Sequence, residues 1–400
     1  MPDDAPPTLG QTDLLRTLPS ALNAPPMLTQ PGVETLQAPT TVPSDTTFPK
    51  PNFTRYRLDA HKRRRPQCIA HRGYRAKYAE NSMAAFRGAV TAGAHALETD
   101  VHVTKDEVVV LSHDPSLKRC FGVDRKIKEC TWEEISAMRT VRGGQGDKAK
   151  ARAGVKTDGE AMPRLRDLLE YLAQPGLEEI WLLLDIKLSN SAEQVMRLIG
   201  SDLASVPAAA GGKRWEERVV LGIWAAKFLP LCLTHCPGFP VSNIGFAVSY
   251  ARHFFDIPNV SFNMLLPMLI APGGRGFIKQ ARVEGREVYA WTVNERDRME
   301  WCVRRQLDGV VTDDVELFLA VCEGKEVEGR ERLLGIRVVG YLNVIRVYIW
   351  VKVMAFLFRK MFRPVASRAL IEKSGGESGK KEEERGLLED EMGDGGRLKN

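Results

Sequence analysis

The 400-residue chain lacks the features that mark exported, disulfide-linked or zinc-binding proteins. No segment near its start combines basic residues with a hydrophobic run, so nothing there resembles a signal peptide. Its 7 cysteines are an odd number. Cys232 and Cys236 lie close together, but no second pair matches them as a zinc site would require. These absences predict a reducing, cytosol-facing location.

The chain also lacks a glycine-rich phosphate loop after its first apolar run, which an open doubly wound α/β sheet would need. Instead, helix-like stretches separate most of eight apolar or β-branched runs, at about residues 67–71, 96–101, 180–186, 218–223, 242–247, 259–262, 288–292 and 308–312. A further run at about 107–112 is predicted to be a hairpin partner. Alternating strands and helices predict an α/β fold of the TIM-type (β/α)8 barrel, with its site at the carboxyl ends of the strands.

Two acidic residues mark the most informative cluster. Glu98 and Asp100 lie two positions apart in a strand-like run, and alternate residues of a strand point to the same side. Two carboxylates on one face repel each other unless a cation lies between them, and oxygen ligands suit Ca²⁺ or Mg²⁺. The alternative is an exposed strand edge with both acids in water, which the neighbouring residues disfavour.

Two histidines bracket this acidic strand. His71 ends one apolar run and is followed by Arg72, and His113 ends the run of residues 108–112. A single histidine at a strand end is usually solvated or structural. A pair that flanks two carboxylates favours general acid and base catalysis, and the planar guanidinium of Arg72 suits phosphate oxygens.

A third acid, Asp185, lies near the end of a nearly continuous apolar run, typical of a strand buried on both faces of a parallel sheet. Lys187 follows two positions later and shares its side. Burying either charge is costly without a partner or a metal. We therefore predict that Asp185 is a third metal ligand and that Lys187 contacts phosphate. A structural salt bridge is the alternative for Lys187.

Several motifs follow one another along the chain: His71-Arg72-Gly73, Glu80-Asn81-Ser82, Glu98-Thr99-Asp100, His113-Asp114, Leu184-Asp185-Ile186-Lys187, Trp291-Thr292-Val293-Asn294 and Asp308-Gly309-Val310-Val311-Thr312-Asp313. Their order over about residues 66–320 resembles the glycerophosphodiester phosphodiesterase family, and within it the fungal phosphatidylglycerol-specific phospholipase C branch. The resemblance implies a TIM-type barrel, one divalent cation, two catalytic histidines and cleavage of a phosphodiester attached to glycerol.

The resemblance also implies individual roles. The residues that match functional positions are the catalytic pair His71 and His113, the metal ligands Glu98, Asp100 and Asp185, the phosphate-binding Arg72 and Lys187, and Trp291 beside the glycerol. Asp185 stands where the family usually has glutamate. Its side chain is one methylene shorter, so a bridging water is an alternative to direct ligation.

This set of residues implies a mechanism. The cation, Arg72 and Lys187 would neutralise the phosphodiester and the charge that builds on it. One histidine, which we take to be His71, would accept a proton from the attacking hydroxyl while the other protonates the leaving oxygen. The resemblance suggests that the 2-hydroxyl of glycerol attacks first, giving a cyclic phosphate that water opens. With phosphatidylglycerol as substrate, diacylglycerol and glycerol phosphate would be released.

Other segments flank the predicted barrel of residues 66–322. Residues 1–65 are rich in Pro, Thr and Ser and are predicted to be a disordered arm. The arm ends in a basic cluster, for which attraction to anionic lipid is favoured over a nuclear signal: Arg55, Arg57, His61, Lys62, Arg63, Arg64 and Arg65. Residues 143–160 are predicted to be a surface loop, and residues 371–400 a disordered charged tail.

The segment 334–370 is basic and apolar. Between Gly335 and Leu370 there is no acidic residue, while seven basic residues alternate with apolar and aromatic ones. As a helix, residues 338–358 would reach about 31 Å, enough to cross a bilayer core. However, Arg346 and Lys352 would each cost roughly 2.5–3.5 kcal/mol inside the membrane. We therefore predict in-plane or hairpin attachment to a membrane surface, with packing against the barrel as the alternative.

Together these observations predict an intracellular, membrane-associated and metal-dependent phosphodiesterase whose leading substrate is phosphatidylglycerol. The same site is also suited to soluble glycerophosphodiesters or lysophospholipids. An inactive barrel that binds lipid as a scaffold is a third alternative, which the retained histidines and acids disfavour. No nucleic-acid partner is predicted. The sequence leaves open the choice between Mg²⁺ and Ca²⁺, the organelle and the oligomeric state.

Overall fold

The structure, a computed structural model, describes residues 41–42, 46–141, 159–208, 211–325, 344–350, 353 and 366–367. Eight parallel strands form a barrel: β1 Gln67–His71, β2 Ala96–Val103, β4 Trp181–Ile186, β5 Val219–Ile223, β6 Val241–Gly245, β7 Ser261–Leu265, β8 Val288–Trp291 and β9 Gly309–Thr312. The pairing of β9 with β1 closes it. The hairpin strand β3, Val109–Leu111, runs antiparallel to β2. The predicted barrel and hairpin partner are confirmed, although β7 begins and ends later than predicted.

Helices follow most of the strands: α1 Met83–Thr91, α2 Lys118–Phe121, α3 Trp132–Ser136, α4 Leu165–Leu172, α5 Ala192–Ser205, α6 Phe228–His235, α7 Val248–Ala251, α8 Leu266–Ile270, α9 Gly274–Val283, α10 Arg296–Arg304 and α11 Val315–Glu323. Short 3₁₀ turns lie at Asn52–Thr54, Ile127–Glu129, Trp215–Glu217 and Arg252–Asp256. Local chemistry explains individual helices. Ser82 caps α1 by accepting the amide of Ala85, and α4 buries leucines at helical spacing.

The barrel interior changes character along the strand direction. Its apolar part is a cluster that includes Ile69, Trp181, Leu183, Tyr289 and Val311. A larger core fills the space between the strands and the surrounding helices. Because alternate residues of a strand point inward, the inward positions nearer the carboxyl ends carry charged side chains instead. The fold therefore places its polar site at the carboxyl end of the barrel.

Residues 46–65, predicted to belong to the disordered arm, fold against the barrel. Phe48 is buried, and its carbonyl accepts a hydrogen bond from the Asn259 side chain. The side chain of Gln67 donates to the carbonyls of Phe53 and Arg55. The prediction of disorder is therefore wrong for residues 46–65, where buried aromatic residues and backbone hydrogen bonds fix the chain. Residues 1–40 and 43–45 lie outside the described residues.

The basic cluster at the end of this arm is part of a small hairpin, in which Arg57–Leu58 pairs with Arg64–Arg65. Arg55 donates to Glu287 at 2.9 Å, and the Arg64 guanidinium lies 3.5 Å from the centre of the Tyr56 ring. Glu287 and Asp308 directly precede β8 and β9. The hairpin thus lies at the amino end of the barrel, opposite the polar site, and Arg63, Arg64 and Arg65 have structural partners within it or on the barrel. The predicted attraction to lipid at this cluster is untested.

In the carboxyl-terminal segment, residues 344–350 form a helix, α12, that packs on the barrel. Val344 and Val347 are buried, and Val347 joins a cluster at the barrel mouth with Trp224 and Phe246. This contact matches the alternative in which the segment packs as an extra helix. Thr41–Val42 also pairs with Ala366–Ser367. The loop residues 142–158 and the tail 371–400 lie outside the described residues.

Across the part of the chain that the structure describes, no helix combines the length and the apolar character that crossing a membrane requires.

Candidate active site

The three predicted metal ligands converge in the upper barrel. Strand register places Asp100 beside Asp185, and His71 beside Glu98. One oxygen from each of the three carboxylates lies within 4.8 Å of the others. All three side chains are buried, with residue exposures of 4% for Glu98, 1% for Asp100 and 5% for Asp185. The predicted cluster is therefore assembled from two neighbouring strands.

Electrostatics indicates that this cluster suits a cation. Burial and the neighbouring charges of Asp100 and Asp185 raise the pKa of Glu98 well above its usual value. Burial also raises the pKa of Asp185. For Asp100, burial raises the pKa, but Lys187 and Arg72 outweigh it and hold the pKa well below the usual range. Burial and the crowding of three carboxylates together raise the pKa of Glu98, a bound cation would relieve that repulsion, and oxygen-only ligands suit a hard divalent ion. The donor set fits the predicted metal.

The two predicted phosphate-binding residues lie against this cluster. Lys187 Nζ is 2.7 Å from an oxygen of Asp100 and 2.5 Å from an oxygen of Asp185. The Arg72 backbone amide donates to Glu98 at 2.8 Å, which requires a positive φ of 55° at Arg72. Arg72 Nε lies 3.3 Å from Asp100 Oδ2 but is buried without a hydrogen bond. A phosphate oxygen is a suitable acceptor for that donor. The alternative for Lys187, an ion pair between strands, is also present.

Each predicted catalytic histidine is oriented by a carboxylate. Nδ1 of His71 lies 2.7 Å from Asp313, and Nδ1 of His113 lies 2.7 Å from Asp114. Because an ionised carboxylate only accepts hydrogen bonds, Nδ1 carries the proton and Nε2 is left for proton exchange. Burial and the charge of Arg72 lower the pKa of both imidazoles, to about 3 for His113. Both are neutral without a bound anion, as a proton acceptor requires.

Trp224, which the sequence analysis did not single out, holds the side chain of Asp185 by a hydrogen bond. Its indole Nε1 donates to Asp185 Oδ1 at 2.6 Å. The residue follows the end of β5 and is buried. Its ring packs edge-on against Trp291, with centroids 5.6 Å apart. Trp291 itself is half-buried at the end of β8, and its position beside the glycerol stays a prediction. Trp224 therefore links the acidic cluster to that mouth.

Asp313 and Asn81 belong to the sequence motifs, but the sequence predicts no individual role for either. Asp313 follows β9 and orients His71, which lies 242 positions earlier in the chain. The amide of Asn81 donates to Asp100 at 3.0 Å and accepts from Thr99. Position at the carboxyl end of a barrel strand could have flagged Asp313. No sequence signal identifies Asn81, because its partners depend on the loop that follows β1.

A (β/α)8 barrel with an acidic cluster and paired histidine–aspartate contacts at its carboxyl face defines a phosphoric diester hydrolase of the TIM-barrel class. Residues 71–317 match the model of the glycerophosphoryl diester phosphodiesterase family. The chain belongs to this family, and the predicted family resemblance is confirmed. The family is generally dependent on divalent metal, in agreement with the acidic cluster.

Curated relatives are similar over most of their own length. An uncharacterised protein of Bacillus subtilis is 28% identical over 262 residues, which span 64% of this chain and 98% of the relative. A lysophospholipase D of Rattus norvegicus is 26% identical, covering 61% of this chain and 82% of the relative. Among solved structures, a glycerophosphoryl diester phosphodiesterase described as putative, from Silicibacter pomeroyi, superimposes with a TM-score of 0.59 at 22% identity. The match covers 69% of this chain and 98% of the other. This structural likeness supports the fold.

Proposed function

We propose that this chain is a phospholipase C-type enzyme that hydrolyses phosphatidylglycerol to diacylglycerol and glycerol phosphate. Its site would use one Mg²⁺ or Ca²⁺, and it would act in the cell at a cytosol-facing membrane surface. Phosphodiester hydrolysis follows from the family. The lipid, its head group and the location are the proposal.

The two-sided packing of α12 is the observation that carries the lipid assignment. Its inner side contributes Val347 to the aromatic cluster around Trp224 at the site mouth. Its outer side exposes Ile345, Ile349 and, four positions on, Val353. Residues spaced by four lie on one helix face, so this is an aliphatic stripe beside the mouth. The surrounding segment has basic residues and no acidic ones, which complements an anionic lipid surface.

The residues around the acidic cluster provide the steps of hydrolysis. A bound divalent cation would supply Lewis-acid stabilisation of the phosphodiester oxygens. Arg72 and Lys187 would bind the remaining phosphate charge. His71 Nε2 would accept the proton of the attacking hydroxyl. His113, which would take up a proton from solvent at Nε2 once the phosphodiester anion is bound, would give that proton to the leaving oxygen. Asp313 and Asp114 keep the two rings oriented.

A second candidate is hydrolysis of soluble glycerophosphodiesters or lysophospholipids by the same residues. It is favoured by the names of the relatives, among them the lysophospholipase D of Rattus norvegicus and a probable glycerophosphodiester phosphodiesterase of Mycobacterium tuberculosis. Both candidates use the same catalytic residues, so they can be separated only by measuring which substrates the protein hydrolyses.

The deciding experiment measures product release by the full chain from anionic phosphatidylglycerol vesicles and from the matching deacylated, soluble diester. A variant with Ile345→Ser and Ile349→Ser should lose at least tenfold of its turnover on vesicles and keep its turnover on the soluble diester. Each exposed aliphatic side chain contributes about 1.5–3 kcal/mol when buried in lipid. The control changes an exposed aliphatic residue elsewhere, Val283, to serine and should leave both rates unchanged.

Absence of diacylglycerol with full turnover of the soluble diester would favour the second candidate. His71→Ala and His113→Ala variants should each lose 10²–10⁴-fold on both substrates. A histidine variant as active as the parent would remove the proposed chemistry altogether.

A further inference from the structure

The two histidine–aspartate pairs are joined by a continuous chain of ion pairs, buried on the His71 side and part-buried on the His113 side. On the His71 side, the second oxygen of Asp313 accepts a hydrogen bond from Arg75 at 2.8 Å. Arg75 in turn donates through Nε to Glu80 at 2.9 Å. The link from His71 to Glu80 is therefore His71–Asp313–Arg75–Glu80, with each contact at hydrogen-bond distance.

The His113 side reaches the same carboxylate. Asp114 accepts through its second oxygen from Arg119 Nε at 2.5 Å, and Arg119 donates through another nitrogen to Glu80 at 2.6 Å. One guanidinium thus bridges two carboxylates with different nitrogens of its planar fork, a geometry that lysine cannot reproduce.

Glu80 also holds the phosphate-binding arginine. Arg72 donates through its NH1 nitrogen to Glu80 Oε1 at 3.0 Å. The Glu80 side chain is only 2% exposed, and its two oxygens accept from three arginines. The three arginines balance the three carboxylates Glu80, Asp114 and Asp313 in formal charge. Burial raises the pKa of Glu80, but the arginines outweigh it and hold the pKa well below its usual value. Glu80 therefore stays charged near neutral pH.

We propose that Glu80 is a positioning residue that holds both catalytic histidines and Arg72 in one ionic frame, so that the proton acceptor, the proton donor and the phosphate-binding arginine are oriented together. Glu80 itself contacts no metal-ligand carboxylate in the hydrogen bonds of the described residues. Its effect passes through Arg75 and Arg119 to the aspartates, and through them to the imidazole rings.

Removing the charge of Glu80 would leave three guanidinium groups around a neutral amide. Like charges at such distances repel strongly in a buried site. Arg75 and Arg119 would then shift. Asp114 would lose the contact that fixes its second oxygen, and the second oxygen of Asp313 would keep the Asn294 amide but lose its charged partner Arg75. Both imidazoles would become misoriented, although neither lies next to Glu80. Misplaced catalytic groups of this kind should lower kcat more than they weaken substrate binding.

The first test compares Glu80→Gln with the parent on two soluble glycerophosphodiesters, one with an alkyl and one with a p-nitrophenyl leaving group. The alkyl diester needs a proton donor, and the p-nitrophenyl diester does not. We expect kcat to fall at least 10²-fold on the alkyl diester and about tenfold on the other, because the p-nitrophenyl leaving group does not need the proton of His113. The control Glu170→Gln removes an exposed arginine partner from Arg166 and should change neither rate.

The second test uses Arg119→Lys, which keeps the charge but cannot bridge Glu80 and Asp114. Arg119 is partly exposed, so this variant should fold even if Glu80→Gln does not. We expect it to impair the alkyl diester through His113 and to leave the His71 branch intact.

Imidazole ¹⁵N–¹H spectra detect the two histidine–aspartate hydrogen bonds without any substrate, because an Nδ1 proton shared with a carboxylate resonates far downfield. Two such signals are expected in the parent, none in Glu80→Gln, and only that of His71 in Arg119→Lys.

The inference rests on the hydrolytic chemistry of the proposed function but not on its head group. Loss of phosphatidylglycerol specificity would leave these signals and the soluble assay untouched. Retention of both signals in either variant, or equal losses on the two diesters, would overturn it.

Discussion

The hydrogen bond from Trp224 to Asp185 predicts a measurable effect on metal affinity. Trp224→Phe keeps an aromatic ring beside Trp291 but removes the indole donor, which lies 2.6 Å from Asp185 Oδ1. A hydrogen bond to a charged group contributes about 1.5–3 kcal/mol. Residues that orient a metal ligand typically change metal affinity by about 10–100-fold. We therefore expect the dissociation constant for a divalent cation to rise by about 10–100-fold.

The assay is calorimetric titration of the metal-stripped chain with Mg²⁺ and, separately, with Ca²⁺. Trp215→Phe serves as the matched control. It removes another buried indole donor, which bonds to the Val206 carbonyl at 2.7 Å, and the residue lies outside the acidic cluster. The control should lose stability but keep the parent's metal affinity. If Trp224→Phe and the parent bound the metal with equal affinity, the proposed role of Trp224 in orienting the Asp185 carboxylate would be refuted.

Three further perturbations test the site and its frame. Lys187→Met removes the cation between two buried carboxylates. Without divalent metal the free energy of unfolding should fall by about 3–5 kcal/mol, and saturating metal should raise the melting temperature more than in the parent; an equal rise would contradict this. Burial and the charge of Arg57 lower the pKa of His95 to about 4. The unfolded chain takes up this proton near pH 6.5, so the stabilisation is complete above that pH. The free energy of unfolding should therefore fall as the pH drops from 6.5 toward 4. The urea midpoint should be lower at pH 5 than at pH 7, and the difference should be smaller in His95→Gln. Gly73→Ala places a Cβ 2.7 Å from the backbone of α1 at a φ of 77° and should destabilise by at least about 1–3 kcal/mol, more than Gly159→Ala, which has similar φ but open space.

Local periodicity accounts for what could be predicted of the fold. Eight apolar runs, the hairpin partner and the placement of polar residues at strand ends are visible in short windows, because side-chain direction alternates along a strand. The pair Glu98 and Asp100 follows from that rule alone. The folded arm at residues 46–65 was missed, because its order depends on contacts with β1, with β8 and with the turn before β7 rather than on its composition.

The barrel, the acidic strand, the two histidines and the family resemblance could be predicted from short segments, because each depends on residues close together in the chain. How those residues are supported depends on tertiary contacts. Closure of the barrel brings Asp313 to His71, the loop after β5 brings Trp224 to Asp185, and Arg119 of α2 reaches Glu80 in the loop after β1. Such contacts join positions far apart in the chain. They arise from strand register and loop conformation, which no short window of sequence contains.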